Sequence, residues 1–163
     1  MSRLLALALL VGGLLAAPPV LAGERGVAAY YPQEDDAAAT LDTALAKARA
    51  EGKLAVIVFG ADWCHDSQAL AALLTSERFK AEFGGRFAVP FIDVGVPQDG
   101  RGRNLDLAKR FGVGDLEGTP TMVVIAPGGK RLNSEKDAKS WRNAESRGEA
   151  AVLDWFRRIA TKG

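Results

Sequence analysis

The stretch LAVIVFGADWCHDS, residues 54–67, decides the fold of this chain. Its first six residues are apolar, and three of them are β-branched. This length and composition predict a strand buried on both faces, as in a parallel sheet. Gly60 and Ala61 then form a turn, and a helix is expected to begin at about Cys64. The one cysteine of the chain therefore lies where a buried strand passes into a helix.

The patterns on either side of this stretch predict an α/β fold. Leu41, Ala44, Leu45 and Ala48 recur at the spacing of one buried helix face. Pro90 lacks a backbone donor, so its strand is expected at a sheet edge or at a bulge. The expected helices lie over about 37–51, 64–84 with an interruption near 75–77, and 104–110, and the expected strands over 54–59, 87–94, 121–126 and 130–132.

The C-terminal part of the chain is expected to combine a surface crossing with one amphipathic helix. Residues 133–149 are mostly polar and are expected to run across the surface. Ser146 and Glu149 have the spacing of a capping box, which predicts the start of the last helix. The apolar face of that helix consists of Val152, Trp155, Phe156 and Ile159.

The N-terminus has the features of an export signal. Arg3 precedes an apolar run over residues 4–11, and small or aliphatic residues lead to a cleavage site after Ala22. The expected organisation is a signal peptide over 1–22, a lead-in segment over 23–36 and one domain over 37–163. Because glycines and prolines interrupt the apolar run, no stable membrane span is expected after cleavage, although an uncleaved anchor is the alternative. The mature protein would be periplasmic or secreted.

Charge and cysteine content exclude several classes of protein. The chain has 21 basic and 20 acidic side chains, and loss of Arg3 with the signal would leave 21 − 1 = 20 of each. A formally neutral protein has no global attraction for nucleic acid. One cysteine cannot form an intramolecular disulfide, so packing must provide the stability. One cysteine beside one histidine cannot close a metal site without a second chain, so no metal is expected. No other cofactor is expected either.

Two motifs together resemble the thioredoxin superfamily. Trp63-Cys64-x-x-Ser67 follows a buried strand, and Gly118-Thr119-Pro120-Thr121 precedes another strand about 55 residues later. The resemblance is greatest to exported bacterial thioredoxin-like proteins and covers about residues 37–162. It implies a thioredoxin-like fold, an α/β fold with a central mixed sheet of about four strands and helices on both faces.

The resemblance also implies which residues form the site. Cys64 and Ser67 would be catalytic, with Cys64 at a helix N-terminus that favours a thiolate. The Thr119–Pro120 bond would be cis, and the Thr119 backbone would pair with an extended substrate. Thr119, Pro120, Trp63 and His65 are the expected substrate-binding residues.

The sequence departs from the usual dithiol pattern at two positions. Ser67 stands where a resolving cysteine is expected, so a mixed disulfide at Cys64 cannot be released from within the molecule. Val58 stands where many thioredoxins have a buried acid. These departures predict a monothiol protein that needs an external thiol.

Several of these residues also have a simpler interpretation. Ser67 either hydrogen-bonds to the thiolate or is merely a small side chain, and Trp63 either receives a substrate or simply packs. His65 is either a cation near the sulfur or a solvated residue. Asp62 is either a charge in the first helical turn or a catalytic acid.

Two functions therefore remain open. The first is an exported thiol-disulfide oxidoreductase that acts through Cys64 by mixed-disulfide exchange, with protein or low-molecular-weight thiols and disulfides as partners. The alternative is a redox-inactive protein-binding module with the same fold. Nucleic acid is not an expected partner, and two copies could link through Cys64.

Overall fold

A computed structural model describes residues 29–163. The expected signal peptide and the first part of the lead-in segment lie outside these residues. The helices are α1 (Ala37–Ala50), α2 (His65–Thr75), α3 (Glu77–Phe83), α4 (Leu105–Arg110), α5 (Glu135–Lys139), α6 (Ala144–Arg147) and α7 (Glu149–Ala160). The strands are β1 (Leu54–Gly60), β2 (Phe87–Ala88), β3 (Phe91–Asp93), β4 (Gly95–Val96), β5 (Arg101–Gly102) and β6 (Thr121–Ile125), and short 3₁₀ helices cover Pro97–Asp99 and Ser140–Asn143.

Strand β1 is the centre of a mixed four-stranded sheet, as expected for a thioredoxin-like α/β fold. It pairs antiparallel with β6 along Ala55–Phe59. It pairs parallel with β2 at its start and with β3 at its end. Because β6 occupies one side of β1, both β2 and β3 lie on the other side, as one interrupted edge strand.

Pro90 lies at the interruption between β2 and β3. The Val58 N–H donates to the Pro90 carbonyl at 3.0 Å, so pairing with β1 continues across the break. Proline has no N–H to give to a ladder, and an edge position with an irregular pairing tolerates this. The expected position of Pro90 at a sheet edge is confirmed.

The two faces of the sheet pack against different helices. All seven residues of β1 are buried, and the first six alternate between two hydrophobic clusters. Val56 and Val58 join α2, α3 and α7 on one face, whereas Ile57 and Phe59 join α1 and α4 on the other. Burial of each such side chain stabilises the fold by about 1.5–3 kcal/mol. The double burial predicted for this strand is therefore confirmed.

Three expectations about the C-terminal third are wrong in detail. Residues 133–149 form α5, a 3₁₀ helix and α6 rather than a plain surface crossing, and Trp141 among them is fully buried. Ser146 lies inside α6, and Gly148 with φ of 75° precedes α7, so no capping box opens the last helix. The expected strand at 130–132 is reduced to an isolated bridge between Ile125 and Arg131.

Within residues 29–163, no helix is long and apolar enough to cross a membrane.

Candidate functional site

Cys64 is the residue that precedes the first turn of α2. Its backbone is extended, with φ of −92° and ψ of 120°, and its carbonyl accepts the Gln68 N–H at 2.9 Å. The side chain makes no capping hydrogen bond to the helix and is partly exposed. Free backbone N–H groups at such a position can stabilise a neighbouring anion. The turn thus presents a partly exposed sulfur at the N-terminus of a helix.

The loop that precedes β6 faces this sulfur. The thiol of Cys64 donates to the Thr119 carbonyl oxygen, with 3.5 Å between the two heavy atoms. The Thr119–Pro120 peptide bond is cis, as expected, and both residues are buried. The structure therefore brings Cys64 to the Thr119–Pro120 loop, although Cys64 and Thr119 are 55 residues apart in sequence.

Ser67 lies on the inner side of the first turn of α2. It is fully buried, and its hydroxyl has no hydrogen-bond partner among the described residues. The hydroxyl therefore makes no hydrogen bond to the Cys64 sulfur. The backbone carbonyl of Ser67 accepts a hydrogen bond from the Tyr31 hydroxyl at 3.1 Å.

The two other expected site residues lie on the open side of the turn. Trp63 is 49% exposed, yet its indole Nε1 donates to the Gly95 carbonyl at 2.9 Å. This hydrogen bond holds an exposed aromatic ring in place beside Cys64. His65, the first residue of α2, is exposed to solvent.

The lead-in segment docks on the Cys64 turn, which is one of the two outcomes that its Tyr30-Tyr31-Pro32 run predicts, the other being a short strand. The Asp62 carboxylate accepts the backbone N–H of Tyr30 at 2.9 Å and that of Tyr31 at 3.3 Å. The Gln68 amide in turn donates to the Asp62 carbonyl. Asp62 thus binds the backbone of the lead-in segment. This contact belongs to neither of the two interpretations of Asp62, a charge in the first helical turn or a catalytic acid. The adjacent aromatic residues Tyr30 and Tyr31 indicated that this segment could dock, but nothing in the local sequence predicted Asp62 as the residue that they contact.

The ring of Tyr31 fills the space beneath the turn. It is 2% exposed and meets Phe91 edge-on, with ring centroids 5.4 Å apart. A Cβ on Gly60 would lie 2.5 Å from the ring, so only glycine leaves room for it. Burial raises the pKa of the Tyr31 hydroxyl well above its ordinary value, so this group remains a neutral donor.

The position at which many thioredoxins have a buried acid is occupied here by the apolar Val58, and a buried acid lies elsewhere, at Asp93. Val58 is fully buried at the centre of β1. The buried carboxylate at the end of β3 is instead Asp93, which lies 3.1 Å from the Arg103 guanidinium. Asp93 also accepts the Gly95 N–H at 3.2 Å. This acid therefore orients the Gly95 backbone that holds Trp63.

Among residues 29–163, no group of three or more histidine, cysteine or acidic side chains is arranged to hold a metal ion.

A strand, a cysteine at a helix N-terminus and a facing cis-proline loop together define a thioredoxin-like protein. A sequence model of the family described as Thioredoxin-like matches residues 36–127, and the chain belongs to this family. A comparison with curated proteins gives no match.

Two solved structures are similar to this chain. A disulphide isomerase from Xylella fastidiosa Temecula1 is 31% identical, with a TM-score of 0.69 over 79% of this chain and 95% of that one. A thioredoxin from Thermus thermophilus is 26% identical, with a TM-score of 0.50 over 82% of this chain and 87% of that one. The similarity thus extends to proteins of thiol-disulfide chemistry.

Proposed function

We propose that this protein is an exported thiol-disulfide oxidoreductase that acts through Cys64 alone. The observation that carries the proposal is the position of the Cys64 sulfur, partly exposed at a helix N-terminus and 3.5 Å from the Thr119 carbonyl. The thiolate of a cysteine is the nucleophile in disulfide exchange, and this position leaves the Cys64 sulfur open to a partner.

The reaction consists of two exchanges. The Cys64 thiolate attacks one sulfur of a substrate disulfide, forms a mixed disulfide and releases the other substrate sulfur as a thiolate. An external thiolate then attacks the substrate sulfur of the mixed disulfide and releases Cys64 as a thiolate. The bond between the substrate and the external thiol replaces the original disulfide. If the second thiolate belongs to the same substrate, the net result is isomerisation without electron transfer.

The second step needs an external thiol because Ser67 stands where a resolving cysteine would be. Its hydroxyl is buried and, unlike a cysteine sulfur, cannot attack a disulfide at neutral pH. Its proposed role is to keep the first turn of α2 compact beneath Cys64 while leaving the mixed disulfide long-lived.

The substrate would bind along the loop that faces Cys64. An extended segment would pair with the Thr119 backbone next to Pro120, in the manner of strand addition. The exposed ring of Trp63 offers an apolar surface on the other side of the sulfur, and His65 lies at the open edge. These four residues are the proposed substrate-binding groups.

Export is proposed from the N-terminal pattern in residues 1–22, with the mature protein in the periplasm or outside the cell. An oxidising compartment supplies disulfides as substrates. The similarity to a disulphide isomerase supports this proposal. In such a compartment, a dimer linked through Cys64 is a proposed by-product.

The proposal is tested by trapping partners on Cys64 in cells. The full chain is expressed with its N-terminus, free thiols are blocked before lysis, and complexes are separated without reductant. Disulfide-linked species that disappear with Cys64→Ser and with reductant are expected. Their absence from the wild-type protein would count against the proposal.

A binding module without turnover is the second candidate, and the serine at position 67 is the observation that favours it. Cys64→Ser separates the two functions, because it removes the sulfur while changing the size of the side chain little. Partner capture that survives this substitution would support the binding module. Capture that requires the sulfur would support the oxidoreductase.

A further inference from the structure

Arg142 lies directly against the loop that faces Cys64. Its Nε, Cδ and Cζ atoms come within 3.1–3.4 Å of the place that a Cβ on Gly118 would occupy. Gly118 is the residue before Thr119, whose carbonyl oxygen lies 3.5 Å from the Cys64 sulfur. A Cβ at position 118 would require the Arg142 side chain to shift by a few tenths of an ångström, so the two residues are in tight contact.

Two anchors hold this arginine in place. The preceding residue, Trp141, is fully buried and meets Trp155 edge-on, with centroids 4.9 Å apart. On the other side, the Glu145 N–H donates to the Asp66 carboxylate at 2.9 Å. Since Asp66 is in the first turn of α2, this bond ties the segment of Arg142 to the helix that begins after Cys64.

The charge of Arg142 is only weakly compensated. Its nearest acid, Glu117, lies 3.9 Å away and is 77% exposed, so solvent screens this pair strongly. The Nε atom is buried without a hydrogen-bond partner among the described residues. The side chain as a whole remains 37% exposed. A ligand can therefore reach Arg142 through the exposed part of its side chain, but not through the buried Nε.

We propose that Arg142 forms a carboxylate subsite beside Cys64 and selects disulfides that have a carboxylate near the reacting sulfur. The guanidinium presents a planar pair of donors that matches a carboxylate. This inference rests on the proposed exchange at Cys64. The carboxylate has two possible sources: an acidic side chain next to the cysteine of a peptide, or a small acidic disulfide such as oxidised glutathione.

A first experiment tests the subsite without requiring disulfide exchange. Cys64 in the purified protein is alkylated with iodoacetate, which is an anion, and with iodoacetamide, which is neutral and of similar size. Both reagents attack the same thiolate, so the ratio of their rates cancels any change in thiolate fraction. The variants are Arg142→Gln and Arg142→Lys, with Arg158→Gln on the exposed side of α7 as the charge-matched control.

The expected result is that Arg142→Gln lowers the iodoacetate-to-iodoacetamide ratio about 1.5- to fivefold, the range of one partly screened charge pair. Arg142→Lys should restore part of the ratio, and Arg158→Gln should leave it unchanged. Equal ratios for Arg142→Gln and Arg158→Gln would overturn the subsite. A Cys64 that neither reagent modifies would also overturn it, together with the proposed function.

A second experiment identifies the source of the carboxylate. Exchange is measured with oxidised glutathione, with the neutral bis(2-hydroxyethyl) disulfide, and with two cystine peptides that have Glu or Gln beside the cysteine. Dependence on Arg142 for the Glu peptide assigns a peptide side chain, and dependence for glutathione assigns a small disulfide. If the neutral disulfide exchanges and none of the acidic ones depends on Arg142, the selectivity is refuted while the proposed function stands.

Discussion

The Tyr31 hydroxyl donates a 3.1 Å hydrogen bond to the carbonyl oxygen of Ser67. Ser67 occupies the position where a dithiol member of the family would have its second cysteine. The lead-in segment is thus hydrogen-bonded to the backbone at position 67. It is also hydrogen-bonded to the side chain of Asp62, two residues before Cys64. The geometry around the single sulfur therefore depends on residues that precede the first helix.

Removing the Tyr31 hydroxyl should cost little, and removing the ring should cost much. Tyr31→Phe loses one hydrogen bond, for an expected loss of about 1 kcal/mol in the free energy of unfolding. Tyr31→Ala also empties a fully packed space and should lose about 3–5 kcal/mol. Urea denaturation measures both values. Tyr30→Phe, at the neighbouring half-buried residue, is the control, and equal losses for Tyr31→Phe and Tyr31→Ala would contradict the packing role.

Gly60→Ala should strain the same contact from the other side. The new Cβ would lie 2.5 Å from the Tyr31 ring, and such overpacking costs about 1–3 kcal/mol. Gly85→Ala, where nothing lies within 4 Å of the new atom, is the control. In the double variant with Tyr31→Ala, the cost of Gly60→Ala should fall, because the clashing ring is gone. Strictly additive losses would show that the two residues do not interact.

The Tyr31 hydroxyl should make stability depend on alkaline pH. Its pKa is raised by burial, whereas in the unfolded chain it stays near about 10. Above that pH the unfolded state loses the proton and the folded state keeps it, so the stability is lost as pH rises, by up to about 1.4 kcal/mol per pH unit. The difference between the wild type and Tyr31→Phe, measured by denaturation from pH 8 to pH 11, isolates this contribution. Parallel curves would refute it.

Ser67→Cys should convert the site into a dithiol. A cysteine at this position lies three residues along the first turn from Cys64, and the purified variant should form an intramolecular disulfide under mild oxidation. Free-thiol titration and mass spectrometry measure the loss of both thiols. Ser76→Cys is the control, since 12 residues of helix place it about 18 Å from Cys64, too far to form a disulfide. Intermolecular dimers as the main product of both variants would contradict the assigned geometry.

Local patterns were sufficient to predict the core of the fold and the turn that contains Cys64. The six apolar residues that begin β1 could form little other than a buried strand, and Gly60 with the following turn placed Cys64 at a helix start. Pro90 could be assigned to an edge because a missing N–H excludes it from a central strand. The facing Thr119 and Pro120 came from the family resemblance rather than from any pattern of spacing.

The parts that were missed depend on contacts between distant residues. Tyr31 and Asp62 are 31 residues apart, and neither has a local signal that names the other. Trp141 is a single aromatic residue among charged neighbours, so it shows no periodicity, although it is fully buried. The prediction of a capping box at Ser146 was wrong because the boundary between α6 and α7 lies at Gly148, which has a positive φ. The spacing of Ser146 and Glu149 does not indicate this boundary. The position of Arg142 beside Gly118 was also missed, because it too depends on a contact between residues that are distant in sequence.

The most direct measurement follows the purified protein, expressed without residues 1–22, through both exchange steps. The protein is incubated with oxidised glutathione, and mass spectrometry records whether Cys64 gains one glutathionyl group. An excess of an external thiol is then added. The account predicts stoichiometric addition in the wild type, none in Cys64→Ser, no release until the external thiol is present, and complete release afterwards. A Cys64 that is accessible to alkylation but forms no mixed disulfide, or a mixed disulfide that external thiols do not release, would contradict it.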